Sequence, residues 1–245
     1  MANDNPSKQD RCATWYQAKG GLPLDVVHYG PDIGDESDLR LLGDVRGKRV
    51  LELGCGGSPA SIAFAKQGAI AIAVDSSADL VAAARRRCEQ GEVRVELRKG
   101  DLADLAFVRA DSVDVAFSAY ALAYVDDLSR VFRQVHRVLK VGAPLVFSLP
   151  HPVYDMIDED GNQPLLVRRS YFDRTSFDPE GEELAGQRRH HTIADLYTEL
   201  FRSSYRVDAM LEPQPPSSGP RSELWREPFR YIPRTLVIRA RKEGS

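Results

Sequence analysis

Between residues 48 and 149, short apolar runs and stretches of helical periodicity take turns, and few folds accommodate that alternation. Residues 48–53 (KRVLEL) form an apolar run closed by Gly54, and residues 59–67 carry a helical pattern that Gly68 stops. Residues 69–74 (AIAIAV) form a second run, closed by Asp75. Residues 77–90 then place Leu80, Val81, Ala84 and Cys88 at helical spacing. Val93, Val95 and Leu97 alternate with charged residues, which predicts a half-exposed strand. Residues 112–117 (SVDVAF) predict a fourth strand. Leu128, Val131, Phe132, Val135, Val138 and Leu139 then mark one face of an amphipathic helix that Gly142 breaks. Asp126 and Asp127 stand at the positive end of its dipole and Lys140 at the negative end. Residues 143–149 (APLVFSL) are the fifth strand. Strand and helix alternating throughout implies a mostly parallel sheet with helices on both faces.

The remainder follows different rules. Residues 35–45 predict a short helix. Residues 150–190 are polar, turn-rich and basic, and forty residues without periodicity read as an insertion that covers the substrate. Residues 192–205 resume a helix, with Ile193, Leu196, Tyr197, Leu200 and Phe201 on one face. Two late strands, near 205–211 and 233–240, are joined by the loop EPQPPSSGP and predict an antiparallel hairpin at the sheet edge. The domain reading is an N-terminal tail and lid over residues 1–45, then a single catalytic domain over 46–245.

A length of 245 residues suits one such α/β domain and leaves little room for a second core. No apolar run approaches the roughly 20 residues that span a bilayer, and the first twenty residues lack the apolar core of a signal peptide. Lys plus Arg is 33 against 36 Asp plus Glu, a formal charge of −3, so there is no overall field for nucleic acid. Cys12, Cys55 and Cys88 show no CxxC spacing, and no H-x-x-x-H pattern occurs. Disulfides and a metal site are therefore not expected, and a reducing cytoplasm is the default location.

The stretch Glu52-Leu53-Gly54-Cys55-Gly56-Gly57-Ser58-Pro59 lies where the first strand turns into the first helix. Glycines there let the backbone approach a ligand, and a helix start offers free N–H groups. Asp75 follows about 20 residues on, at the tip of the second strand. That is the spacing at which a carboxylate accepts hydrogen bonds from ribose hydroxyls; capping the helix that begins after Ser76 and Ser77 is its other reading. A dinucleotide fingerprint needs glycine where Pro59 stands, so a nicotinamide-dependent oxidoreductase is disfavoured. Ser58-Pro59 reads instead as a helix cap followed by a first-turn proline. Glu52 sits poorly with a pyrophosphate and suits a ligand bearing positive charge.

Taken in order, ELGCGGSP, AVDSS, GDLADLAF, VDVAFSAYALAYVDDL and VLKVGAPLVFS resemble the successive motifs of class I S-adenosylmethionine-dependent methyltransferases. The resemblance covers about residues 45–150 and is nearest to the small-molecule group that includes ubiquinone- and menaquinone-biosynthesis enzymes. It implies a Rossmann-like, doubly wound, mostly parallel seven-stranded sheet with an antiparallel C-terminal hairpin and an insertion after strand five. It implies S-adenosyl-L-methionine as cofactor, S-adenosyl-L-homocysteine as product, and a small-molecule acceptor methylated at O, N or C by in-line displacement. By position, Glu52, Gly54, Cys55 and Gly56 would line the methionine part, Asp75 the ribose, and Ser76 the adenine. Asp101 with Leu102 would meet the adenine amino group, although Gly100-Asp101 is also an ordinary turn pair. Ser118, Ala119 and Tyr120 would lie beside the sulfonium, with Tyr120 equally readable as core. Related enzymes fold an N-terminal tyrosine over the cofactor, a role open here to Tyr16, with Trp15 and Tyr29 beside it.

Oxygen acceptors usually need a general base. Of the five histidines, His151 in SLPHPVY follows the fifth strand at the edge where an acceptor should sit, and it is the expected catalytic residue; His28 and the His190-His191 pair are weaker and His136 structural. A strand-end histidine held by loop carbonyls is the alternative. Arg168, Arg169, Arg174, Arg188 and Arg189 make the insertion basic, which reads either as a solvated face or as a site for an acidic acceptor. A non-catalytic or repurposed S-adenosylmethionine-binding protein shares every one of these motifs. A nucleic-acid methyltransferase is disfavoured by the charge and by Ser118-Ala119-Tyr120-Ala121 standing where an N/D-P-P-Y/F-type motif would follow the fourth strand.

Overall fold

The computed structural model describes residues 18–56, 60–157, 165–177 and 188–244. Seven strands form one sheet: β1 (Arg49–Leu53), β2 (Ile70–Asp75), β3 (Val95–Lys99), β4 (Val115–Ala119), β5 (Pro144–Pro150), β6 (Tyr205–Leu211) and β7 (Thr235–Lys242). Their spatial order is β3-β2-β1-β4-β5-β7-β6. β1 to β5 run parallel, and β7 is antiparallel to both β5 and β6. The late pair is thus antiparallel, but β7 lies inside the sheet and only β6 forms the edge. Position explains composition: β7 is almost wholly buried, whereas β3 at the opposite edge alternates half-buried and exposed residues.

The helices are α1 (Glu36–Leu39), α2 (Ala60–Lys66), α3 (Ala78–Gln90), α4 (Leu128–Val138) and α5 (Ile193–Arg202). The two-residue period of a strand sends neighbours to opposite faces. Leu51 and Leu53 of β1 pack with Leu128, Val131, Phe132 and Val135 of α4 and Leu196 and Leu200 of α5. Val50 packs with Ala63 and Phe64 of α2 on the other face. The same face receives Val27, Tyr29, Leu41, Leu42 and Val45, all buried, so residues 27–45 belong to the core and no structural boundary falls at residue 45.

Three local expectations change. The helix expected over residues 35–45 is the single turn α1, capped by Asp35; Arg40 in the left-handed region and Gly43 at φ 70° end it. The Glu36 carboxylate then accepts from the Leu41 and Leu42 N–H groups and from the Tyr29 hydroxyl. No α-helix bridges β3 and β4, so the alternation skips one crossover. The Arg137 guanidinium of α4 satisfies that connection instead, donating to the carbonyls of Leu105 (2.7 Å) and Val108 (3.1 Å). On α5, Tyr197 and Phe201 are exposed, because the sheet and α4 cover only the Leu196–Leu200 line.

Candidate active site

In sheets of this kind the chain order reverses beside β1, and ligands lie beyond the carboxyl ends of the strands at that point. A cavity of about 450 Å³ opens there, a volume typical of small-molecule sites. Its floor comes from the tips of four strands: Gly54, Cys55 and Gly56 after β1, Asp75 and Ser76 at β2, Asp101 and Leu102 after β3, and Ala119 and Tyr120 at β4.

The floor is held by backbone hydrogen bonds. Gly54 N–H donates to the Val74 carbonyl at 2.8 Å, hooking the β1 loop onto β2. Gly54 has φ +75°, and a Cβ on it would lie 2.1 Å from the Cβ of Ala121. Only glycine fits where the turns after β1 and β4 touch. The Asp75 carboxylate is buried and accepts from Gly56 N–H at 2.9 Å and Ser77 N–H at 3.0 Å. It therefore shapes the loop and faces the cavity at once. The helix cap itself falls to Ser77, whose hydroxyl accepts from Leu80 N–H. Asp101 is exposed at the cavity and closes its own turn through Ala103 N–H at 2.8 Å.

Glu52 is 2% exposed, and its two oxygens accept from Ala60 N–H (2.7 Å) and Ser61 N–H (2.8 Å). The carboxylate thus caps the start of α2 as well as lining the cavity. Burial pushes its pKa up to about 7, against the hydrogen bonds from Ser61 and Ala60, which favour the charged form. Unfolded, the same group titrates near 4.5. The folded state then binds the proton more tightly, so this contribution to stability is complete below about pH 4.5 and is lost as pH rises through 7. Relative to Glu52→Gln, wild-type stability should fall by about 2.5 kcal/mol between about pH 5 and pH 8. Urea denaturation of both proteins across that range checks it, and parallel curves would contradict it. The Cys55 thiol is buried and its pKa is raised by burial, so it is no nucleophile at neutral pH.

Tyr120 occupies the left-handed region at φ 61°. Its hydroxyl bonds the Thr235 hydroxyl of β7, and its ring rests on Gly30, where a Cβ would lie 2.7 Å from that oxygen. The N-terminal segment contributes Leu22, Val26, His28 and Gly30 to the cavity wall. Tyr124, Val125, Asp126, Asp127 and Arg130 complete it from the stretch after β4.

Several expected residues lie elsewhere. Ser118 is fully buried and turned away, its hydroxyl donating to the Leu53 carbonyl at 2.8 Å. Tyr29 is core, packed edge-on against Phe117 at 5.7 Å. Trp15 and Tyr16, and the Ser58-Pro59 cap, lie outside the described residues. His151 is buried at the end of β5 but does not line the cavity. Its Nδ1 accepts from Val153 N–H at 3.1 Å and its Nε2 meets the Glu212 carboxylate at 2.9 Å. Burial lowers its pKa while Glu212 opposes that. With both nitrogens engaged, His151 ties β5 to the loop after β6.

Of the expected insertion, residues 158–164 and 178–187 lie outside the described residues. Among the described residues, none from 150–190 lines the cavity. Four of its five arginines are paired locally: Arg174 with Asp195, Arg188 with Asp155, Arg189 with Asp126 and Arg169 with Asp173. What sequence reasoning passed over was the run from Tyr124 to Arg130 and, within the expected N-terminal lid segment, the particular residues Leu22, Val26 and Gly30. The first was detectable in principle, because it follows the carboxyl end of a central strand. The second carries no periodic signal at all.

This sheet order, with its cavity over the strand tips and its glycine turn paired with an acid, is an arrangement that open α/β sheets use to bind nucleoside ligands at the switch point. Residues 51–147 match the family described as a methyltransferase domain. A ubiquinone biosynthesis O-methyltransferase of Xanthomonas oryzae pv. oryzae is 33% identical over 151 residues, 60% of this chain and 62% of that relative. The chain therefore spans 62% of the length of that curated relative. Among solved structures, a putative S-adenosylmethionine-dependent methyltransferase from Listeria monocytogenes is 26% identical with a TM-score of 0.66, covering 84% of this chain and 96% of that one. An S-adenosylmethionine-dependent methyltransferase from Mesorhizobium loti is likewise 26% identical with a TM-score of 0.66, covering 83% and 95%.

Proposed function

We propose that this chain transfers a methyl group from S-adenosyl-L-methionine to a small-molecule acceptor. The observation that carries the reading is the Gly54–Gly56 loop closed onto the Asp75 carboxylate at the mouth of a nucleoside-sized cavity. The residues present fit the cofactor. Asp75 accepts ribose hydroxyls, Asp101 with Leu102 receives the adenine, and Ser76 borders it. Gly54 lets the backbone approach, and Glu52 with the neighbouring acids sets a negative floor for the cationic methionine end. Ala119 and Tyr120 border the methyl. The cofactor supplies an electrophilic methyl on a sulfonium that leaves as a neutral thioether. The protein's part is to align the acceptor behind that methyl and exclude water, effects worth on the order of 7–11 kcal/mol together. The N-terminal wall and the Tyr124–Arg130 stretch provide the enclosure.

Arg130 and the apolar Leu22, Val26 and Val125 are the wall residues left over for the acceptor. Asp126 and Asp127 stand beside Arg130, so an acidic acceptor would meet mixed charge there rather than a basic basin. Among the described residues no helix is long and apolar enough to cross a membrane. Together with the free, buried Cys55 and Cys88, this supports work in a reducing cytoplasm.

Calorimetric titration with S-adenosylmethionine is expected to saturate at one site per chain. Methyl-labelled cofactor incubated with a small-molecule extract is then expected to pass label to an organic acceptor. A titration with no binding heat would remove the proposal; binding without any label transfer would point to a non-catalytic cofactor-binding protein.

A further inference from the structure

The N-terminal wall of the cavity is fastened at both ends, and both fastenings go to one loop, the connection between β6 and β7. At the first, Lys19 pairs with Glu223, and the Lys19 carbonyl accepts from Glu223 N–H at 3.1 Å. At the second, the Asp32 carboxylate accepts from Ser222 N–H at 2.7 Å and from the Ser222 hydroxyl at 2.6 Å. Arg234, the last residue of the loop, adds its guanidinium to the same carboxylate at 3.4 Å. Between the two fastenings stand Leu22, Val26, His28 and Gly30, the residues that this segment gives to the cavity.

The two fastenings differ in kind. Lys19 and Glu223 stand in water, where an ion pair contributes little. The side chains of Asp32 and Arg234 are only 4% and 9% exposed. A buried carboxylate needs its charge and its lone pairs met, and here a guanidinium, a hydroxyl and an N–H meet them. Asp32 also occupies the left-handed region at φ 60°, a conformation that persists where the surroundings impose it.

Beyond Arg234 the contacts lead back to the site. Its carbonyl accepts from His151 N–H at 2.8 Å, which anchors it on the end of β5. Its neighbour Thr235 bonds the Tyr120 hydroxyl, and the Tyr120 ring rests on Gly30, two residues before Asp32. The contacts close a ring from Asp32 to Arg234, along the chain to Thr235, across to Tyr120 and through Gly30 back to Asp32. No side chain stands between the Tyr120 ring and the Gly30 backbone, so a shift of the wall at Asp32 is passed directly to Tyr120.

We propose that Asp32 is a positioning residue for methyl transfer, fixing the N-terminal wall against Tyr120 through Ser222 and Arg234. The proposal rests on the methyl-transfer reading and deepens it. Asp32 does not line the cavity, so it acts through Gly30 and Tyr120 and not on a ligand. Such a residue matters because transfer to an aligned acceptor depends on placement, and a misplacement of about 1 Å can slow a reaction about 100-fold.

Fluorine NMR spectra of fluorotyrosine-labelled protein, bound to S-adenosylhomocysteine, read the placement of Tyr120 without turnover. Each signal is assigned as the one missing from the matching Tyr→Phe variant. Asp32→Asn keeps the volume and an acceptor for Ser222 but loses the charge that faces Arg234. It is expected to move the Tyr120 signal and to leave in place that of Tyr205, which packs against Phe132 in the core. S-adenosylhomocysteine is expected to bind within about threefold of wild type. Label transfer at saturating cofactor is expected to slow about 10- to 100-fold. Ser222→Ala keeps the ion pair and removes one donor, so it is expected to move the same signal in the same direction by less. It carries the test alone if Asp32→Asn does not fold. A lowered urea midpoint with the Tyr120 signal unmoved makes Asp32 a contact of the fold only and overturns the proposal. So does a loss of S-adenosylhomocysteine affinity as large as the loss of transfer. Failure of the wild type to bind S-adenosylhomocysteine is a separate result, which removes the methyl-transfer reading itself.

Discussion

Gly54→Ala is expected to destabilise the protein by about 2–5 kcal/mol and to abolish measurable cofactor binding. Two costs add. An L-residue at φ +75° pays about 1–2 kcal/mol for its Cβ against its own backbone. The new methyl would also sit 2.1 Å from Ala121 Cβ, well inside contact distance, so the turn after β4 must move. Overpacking of that kind costs about 1–3 kcal/mol. Against a total stability of about 5–15 kcal/mol the chain should still fold, with a lowered urea midpoint. The double variant Gly54→Ala with Ala121→Gly removes the colliding methyl and keeps the strained φ. It is expected to recover about half of the loss or more. A double variant no more stable than Gly54→Ala alone would show that the two turns do not meet as described.

Asp75→Ala is expected to weaken S-adenosylmethionine binding by about 100-fold or more, equivalent to about 2.7 kcal/mol. The carboxylate acts twice. It holds the loop through Gly56 N–H and Ser77 N–H, and it stands at the tip of β2 where the proposed ribose lies. Hydrogen bonds to a charged acceptor contribute about 1.5–3 kcal/mol each, so losing the loop contacts alone lowers the order of the site. Asp75→Asn retains the volume and one acceptor oxygen, and its affinity is expected to fall between the two. Calorimetric titration of the three proteins reads the series. Equal affinities would separate Asp75 from the cofactor and leave it a loop anchor only.

Much of the fold was legible in the residues. The strands and long helices between residues 48 and 150 come out within a few positions of their expected ends, because buried parallel strands and amphipathic helices carry strong periodic signals. The glycine turn and Asp75 were legible as a pair, because their chemistry depends on spacing along the chain. The partners of His151 were not legible, for the opposite reason. Being at the end of a central strand is a sequence fact, but which way an imidazole turns depends on Val153 N–H and on Glu212, sixty-one residues away. Ser118 shows the same: its number along β4 put it near the site, while the β1 carbonyl beside it drew its hydroxyl inward. The arginines of 150–190 read either as a solvated face or as a site for an acid, and the sequence did not show Asp126, Asp155 and Asp195 beside Arg189, Arg188 and Arg174.

By itself, then, the order of residues determined the layered sheet, the glycine loop after its first strand and the acid that closes it, since each is set by contacts or periodicities within a few tens of residues. Tertiary structure alone decided that β7 slots between β5 and β6, that residues 27–45 join the core, and that His28 rather than His151 lines the cavity. Those outcomes turn on pairings between segments far apart in the chain. Local propensity is blind to them, and only burial and the need to satisfy every buried polar group select among the arrangements.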